Sequence, residues 1–219
     1  MNKKEIISKI EKEAKKFFEG ASGCHDWTHV ERVKNLALHI GKKEKADLFV
    51  LEIAALLHDI GRKEEMKCKG KFCHAEKGAE LAKKLLMKYK FDQEKMKNII
   101  HCVKTHRFRK SNSPETLEAK VLFDADKLDS IGAIGIARNF FFAGNAKLNF
   151  YTGNEKKLNG DYKDYAYTDE DTAILEYHKK LKTIYRKILT KGGKEIARER
   201  QKYMDDFFRR FEKETRGLM

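Results

Sequence analysis

From Leu48 to Arg62 the chain reads "LFVLEIAALLHDIGR". Between Leu48 and Ile60 the apolar run is interrupted only by Glu52 and by the adjacent pair His58 and Asp59. A helix that is apolar nearly all round belongs inside a core. An ionised carboxylate at the end of such a helix is very costly unless a cation or metal compensates it. The rest of the chain must supply that partner.

Outward from this stretch, apolar residues recur at three- and four-residue spacing, and alternating strand patterns are almost absent. The periodicity predicts helices at about 2–19, 27–41, 46–60, 74–89, 92–107, 114–127, 129–143, 169–190 and 193–214. Gly61 follows the apolar run as a stop signal. The segment 143–171 is the one long irregular stretch, a length often used for lids and binding loops. With no repeat and no linker, the expectation is a single all-α domain spanning 1–219.

Helical arithmetic then picks out further inward polar residues. His29 shares a face with Val33, Leu36 and Ile40, whereas His39 points elsewhere and Asp26 is placed to cap the helix. His74 aligns with Gly78, Leu81, Ala82 and Leu85. In "NIIHCVKTHRF", His106 falls beside Ile99 and Val103, and His101 falls on the opposite side. Asp126 lies with Ala119, Leu122 and Phe123, while Asp124 turns away and Asp129 sits near the edge of that face. So much inward polarity calls for a purpose, and converging imidazoles and carboxylates form a site for a divalent transition metal. The last turn of a helix also favours a cation, because its carbonyls point there.

The totals narrow the partners. With 48 Lys+Arg against 34 Asp+Glu, the net charge of +14 favours anionic ligands. No zinc-finger, recognition-helix or aromatic–basic signature accompanies it, so phosphorylated small molecules are expected rather than nucleic acid. Four cysteines without CxxC pairs read as reduced thiols of a cytoplasmic protein. No apolar run has transmembrane length, and the charged amphipathic N-terminus is unlike a signal peptide.

Three segments in order, "HDWTHVERV", "LLHDIGR" and "DADKLDSIGAIGIAR", resemble the HD-domain phosphohydrolase superfamily, most closely its small single-domain bacterial and archaeal members. The likeness covers about residues 22–143 and continues into "HAEKGAELA", "THRFR" and "ARERQKYMDDFFRRFEKE". The resemblance implies a helical HD fold in which His29, His58, Asp59 and Asp126 ligate a divalent ion (Mn, Mg, Ni, Co or Fe). It also implies a metal-activated water attacking the phosphorus of a nucleotide or similar metabolite. Lys127 and Arg138 lie within the family-like motif and are expected to contact phosphate, with Arg62, Arg107 and Arg109 as further cations. His74 and His106 stand beside several fixed positive charges. One ion is therefore expected, with these two histidines facing the substrate phosphate or its attacking water. Two other functions remain open on this scaffold: a di-iron oxygenase, and a non-catalytic nucleotide-sensing module.

Overall fold

In the computed structural model the described residues are 2–21, 23–67, 73–107 and 112–219. They are all-helical, and extended pairing among them is limited to one bridge between Asn149 and Thr172. The chain forms two compact units, Met1–Asp126 with Leu189–Gly193 and Lys127–Ile188 with Lys194–Met219.

The first unit is built around α3 (Leu48–Leu57), against which α1 (Lys3–Lys15), α2 (Trp27–Glu44) and α6 (Gln93–Thr105) pack. Leu51, Ile53, Leu56 and Leu57 are completely buried, each contributing ~1.5–3 kcal/mol. A short helix, α4 (Arg62–Lys67), packs on α5 (His74–Leu86), which packs in turn on α6, and α7 (Leu117–Leu128) follows. α4 was not legible in the pattern because it is six residues of mostly charged sequence with no apolar period.

Asp47 caps α3, accepting from the Phe49 and Val50 amides at 3.0 and 3.3 Å, and Lys95 pairs with it. Burial alone would raise this carboxyl, but Lys95 and the capped amides outweigh it and hold the group below 3.8. Its contribution to stability is therefore complete above that ordinary value and is lost as pH falls through the lower folded one. Asp47→Asn keeps the cap shape without the charge. Its unfolding midpoint should fall less than the wild type's between about pH 5 and about pH 3, in a denaturant titration.

α3 ends at Leu57, and His58 to Gly61 turn the chain into α4. Gly61 is not one of the glycines with positive φ, so it does not act as a left-handed cap. Its role is close approach. A Cβ there would stand 2.2 Å from the His74 carbonyl oxygen and 2.6 Å from the Gly78 amide nitrogen. Neither backbone can yield cheaply, so Gly61→Ala should cost about 1–3 kcal/mol or more and lower Tm markedly. A Tm within a degree of wild type would contradict this.

Asp124 faces away from Asp126, as its phase requires, yet it is fully buried. Its carboxylate accepts from the Leu189 amide (2.8 Å), the Thr190 amide (2.7 Å) and the Thr190 hydroxyl (2.6 Å). These bonds fix the start of the last helix, α10 (Lys191–Glu214).

In the second unit, α8 (Gly132–Asn145) and α9 (Ala173–Lys179) precede the greater part of α10. Phe140 packs among Phe207, Phe208 and Phe211, and Tyr177 stacks on Phe208 at 4.0 Å. The helix expected over 169–190 is divided. α9 stops at Lys180, and Leu181–Lys187 is a tighter 3₁₀ helix. Buried Leu181 and Ile184, three residues apart, suit either helix type, so spacing could not separate them. The segment 143–171 is pinned by two buried acids. Glu155 accepts from the Thr152 amide (2.6 Å), and Asp171 accepts from the Tyr162 hydroxyl (2.9 Å) and the Tyr167 amide (2.7 Å). No helix among the described residues is long and apolar enough to cross a membrane.

Candidate metal centre

Helix ends supply the polar cluster of the first unit. Asp26 caps α2, accepting from the Thr28 and His29 amides, and so sets His29 in the first turn. His58 is the C-cap of α3, with Asp59 next to it. His74 opens α5, His106 is the C-cap of α6, and Asp126 comes from α7. His29, His58, Asp59, His74 and His106 are all buried. His39 is exposed, and His101 Nε2 accepts from the Glu115 amide at 3.0 Å, away from the cluster.

Two histidines have their tautomers set by what their Nδ1 meets. His58 Nδ1 donates to the Ala55 carbonyl and His106 Nδ1 to the Val103 carbonyl, each at 2.7 Å. A carbonyl oxygen only accepts, so in these two the proton is on Nδ1 and Nε2 turns a lone pair inward. His74 Nδ1 lies between an acceptor and a donor, 2.7 Å from Glu65 Oε2 and 3.0 Å from Arg107 Nη1.

These lone pairs gather around Asp59. Its Oδ2 is 3.7 Å from His29 Nε2 and 3.9 Å from His58 Nε2, which are themselves 3.2 Å apart. Asp126 Oδ1 lies 3.5 Å from His29 Nε2. On the other side, Asp59 Oδ1 is 3.2 Å from His74 Nε2 and 3.5 Å from His106 Nε2. Arg62 grips the same carboxylate, with Nε 2.8 Å from Oδ2 and Nη2 3.2 Å from Oδ1. Its Nη2 also lies 3.3 Å from His74 Nε2. Arg107 holds Glu65 Oε1 at 2.8 Å.

Electrostatics prepares these groups as ligands. Burial favours the uncharged Asp59, but Arg62 and the surrounding imidazoles overcome it and keep the carboxyl well below its ordinary range. Burial lowers His58 to about 3 and also lowers His74. His58 and His74 thus stand as neutral imidazoles beside the ionised Asp59. Asp59, Glu65 and Asp126 against Arg62 and Arg107 leave one formal negative charge, which suits a cation. Donors bonded at ~2.0–2.2 Å to one ion stand ~3–4 Å from each other. The separations of His29 from His58, Asp59 and Asp126, and of His58 from Asp59, fall in that range, and imidazoles with carboxylates suit a divalent transition metal.

Of the cations expected to serve phosphate, Arg62 and Arg107 are bound to carboxylates of the cluster. Arg138 lies in the second unit, where its Nη1 donates to Asp129 Oδ2 at 2.6 Å, and Lys127 is the first residue of that unit. Arg109 is outside the described residues. Two cluster residues escaped the sequence reading. Glu65 sits on the short α4, and His25 precedes α2 in a 3₁₀ turn, Gly23–His25, where no helical phase applies. The signal for His25 was its place at the head of "HDWTHVERV", four residues before His29.

A helical core that brings imidazoles and carboxylates from successive helix ends to one point is the arrangement of the HD fold. The chain matches the HD-domain model over residues 26–131 and belongs to the HD-domain superfamily. It is similar to the YpgQ protein of Bacillus subtilis, 35% identical over 201 residues that cover 90% of this chain and 87% of YpgQ. The crystal structure of YpgQ in complex with ADP superposes with a TM-score of 0.74, at 30% identity over 98% of this chain and 97% of that one. An HD-superfamily hydrolase from Bacillus thuringiensis gives a TM-score of 0.76, at 27% identity over 98% and 99% of the two chains.

Proposed function

We propose that this protein is a metal-dependent phosphohydrolase acting on a nucleotide or a related small phosphorylated metabolite. The observation that carries the reading is the fit of His29, His58, Asp59 and Asp126 to one divalent ion beside a second pair of inward histidines. The ADP bound by YpgQ supports a nucleotide ligand. Bound there, the ion supplies Lewis acidity, acidifying water and offsetting charge that develops on a phosphoryl oxygen.

The chain's own residues take the remaining roles. Arg62 fixes both oxygens of Asp59, so Oδ2 stays toward His29 and His58. His74 and His106 face the substrate phosphate or the attacking water. The guanidinium of Arg62, 3.3 Å from His74 Nε2, gives that side a positive charge, which favours an anion and disfavours a second cation. Lys127 and Arg138 are carried as phosphate contacts on the sequence resemblance. Lys127→Ala and Arg138→Ala should leave metal content unchanged and lower kcat more than they raise KM, as when a contact forms only in the transition state. Unaltered kinetics in both would remove these two residues from the proposal.

The deciding test is a screen of nucleotides and other phosphorylated metabolites with Mn²⁺, Mg²⁺, Ni²⁺ or Co²⁺, assaying phosphate and pyrophosphate separately. Release of pyrophosphate from a nucleoside triphosphate would make the protein a pyrophosphohydrolase, the form of the reaction we favour. Release of phosphate from a monophosphate would make it a nucleotidase. Release of neither ion while a phosphodiester is consumed would make it a phosphodiesterase, and no substrate consumed with any metal would overturn the reading.

A further inference from the structure

The geometry points to His25 as an additional metal ligand, coordinating through Nδ1 the ion placed at His29, His58, Asp59 and Asp126. The inference rests on the metal reading above and adds a residue to it. His25 Nδ1 lies 3.5 Å from Asp59 Oδ2, and it falls with His29 Nε2 and that carboxylate in one group of ligand atoms within 4.8 Å of each other. The 3.5 Å is ordinary for two donors on a shared ion and long for a hydrogen bond.

His25 Nδ1 is also a buried nitrogen without a hydrogen-bond partner among the described residues. A buried polar atom left so is uncommon and costs ~1–3 kcal/mol unless something engages it. The His25 side chain is nonetheless 40% exposed, in contrast to His29 and His58. One ring nitrogen therefore points into the cluster while another part of the ring reaches solvent. The backbone supports this pose. Asp26 caps α2 immediately after His25, and the His25 ring meets the His29 ring edge-on at 5.3 Å. The two histidines stand on either side of the cap in sequence, one ring part-exposed and the other buried, and both reach Asp59 Oδ2.

This position has a chemical consequence. His29, His58, Asp59 and Asp126 would hold the ion from the core side, and a part-exposed imidazole on a short turn would add a donor from the side that reaches solvent.

Co²⁺ binding to the full-length protein tests this, read by affinity and by the visible absorption of the bound ion. His25→Ala should bind Co²⁺ at least about tenfold more weakly, the smaller end of what even outer partners of ligands cost. Its spectrum should shift, and added imidazole should restore it. His58→Ala should lose the Co²⁺ site, and both variants should keep the wild-type helical circular dichroism. An unchanged spectrum and affinity in His25→Ala, with Co²⁺ lost in His58→Ala, would overturn the role of His25 and leave the metal site standing. Co²⁺ bound equally by the wild type and His58→Ala would overturn the site itself and this inference with it.

Discussion

Asp59→Asn should purify folded and without metal, with hydrolysis at background. Asparagine keeps the shape and one oxygen for Arg62, but it removes the charge that faces five histidines and the proposed ion. Loss of a charged ligand should exceed the ~10–100-fold drop in metal affinity that follows loss of an outer partner. The fold should survive because Arg62 still has Glu65 Oε2 3.9 Å away and the apolar frame of α3 is untouched. Metal analysis, circular dichroism and turnover on one preparation check all three statements. Normal metal content with normal activity would remove Asp59 from the site. His101→Ala, whose ring accepts from the Glu115 amide away from the cluster, is the control and should change neither metal nor rate.

The second large effect separates binding from chemistry. Protein purified without chelator should carry about one ion per chain, and His74→Ala should keep it while losing most of its activity. Chelation should abolish turnover in the wild type, and readdition of the ion should restore it. His74 and His106 do form, with Asp59 Oδ1, a second group of three possible ligands. Arg62 Nη2 already lies within 3.3 Å of two of those atoms. A guanidinium and a divalent ion sharing that space would repel strongly. Two ions per chain, falling to one in His74→Ala, would mean that the electrostatic argument ranks the two sides wrongly.

How much of this the amino-acid order disclosed follows from where each residue sits. His29, His74, His106 and Asp126 lie in or at the ends of amphipathic helices, so a constant angle per residue was enough to orient them, and His58 followed from the apolar run that it closes. His25 and Glu65 lie on a 3₁₀ turn and on a six-residue helix, where there is no phase to read. The turn of Asp124 away from Asp126 was legible, but its burial was not, because its partners come from residues 189 and 190. Charge was the least informative guide. Arg62 and Arg107 sit beside ligands in the sequence, and only the fold reveals that each meets a carboxylate. A cation's partner is decided by three-dimensional neighbours, which local sequence does not encode.

Asp124 also bears on how the chain is made. The chain leaves the first unit after Asp126 and returns to it at Leu189, where the Asp124 carboxylate captures two amides and a hydroxyl. Closing roughly sixty intervening residues costs ~3–4 kcal/mol in chain entropy. During vectorial synthesis every residue of the His/Asp cluster therefore leaves the ribosome well before the donors for Asp124 do. Only when they arrive can the Asp124 carboxylate make these three bonds. A helix that carries Asp126 is thus tied down in part by a segment more than sixty residues downstream.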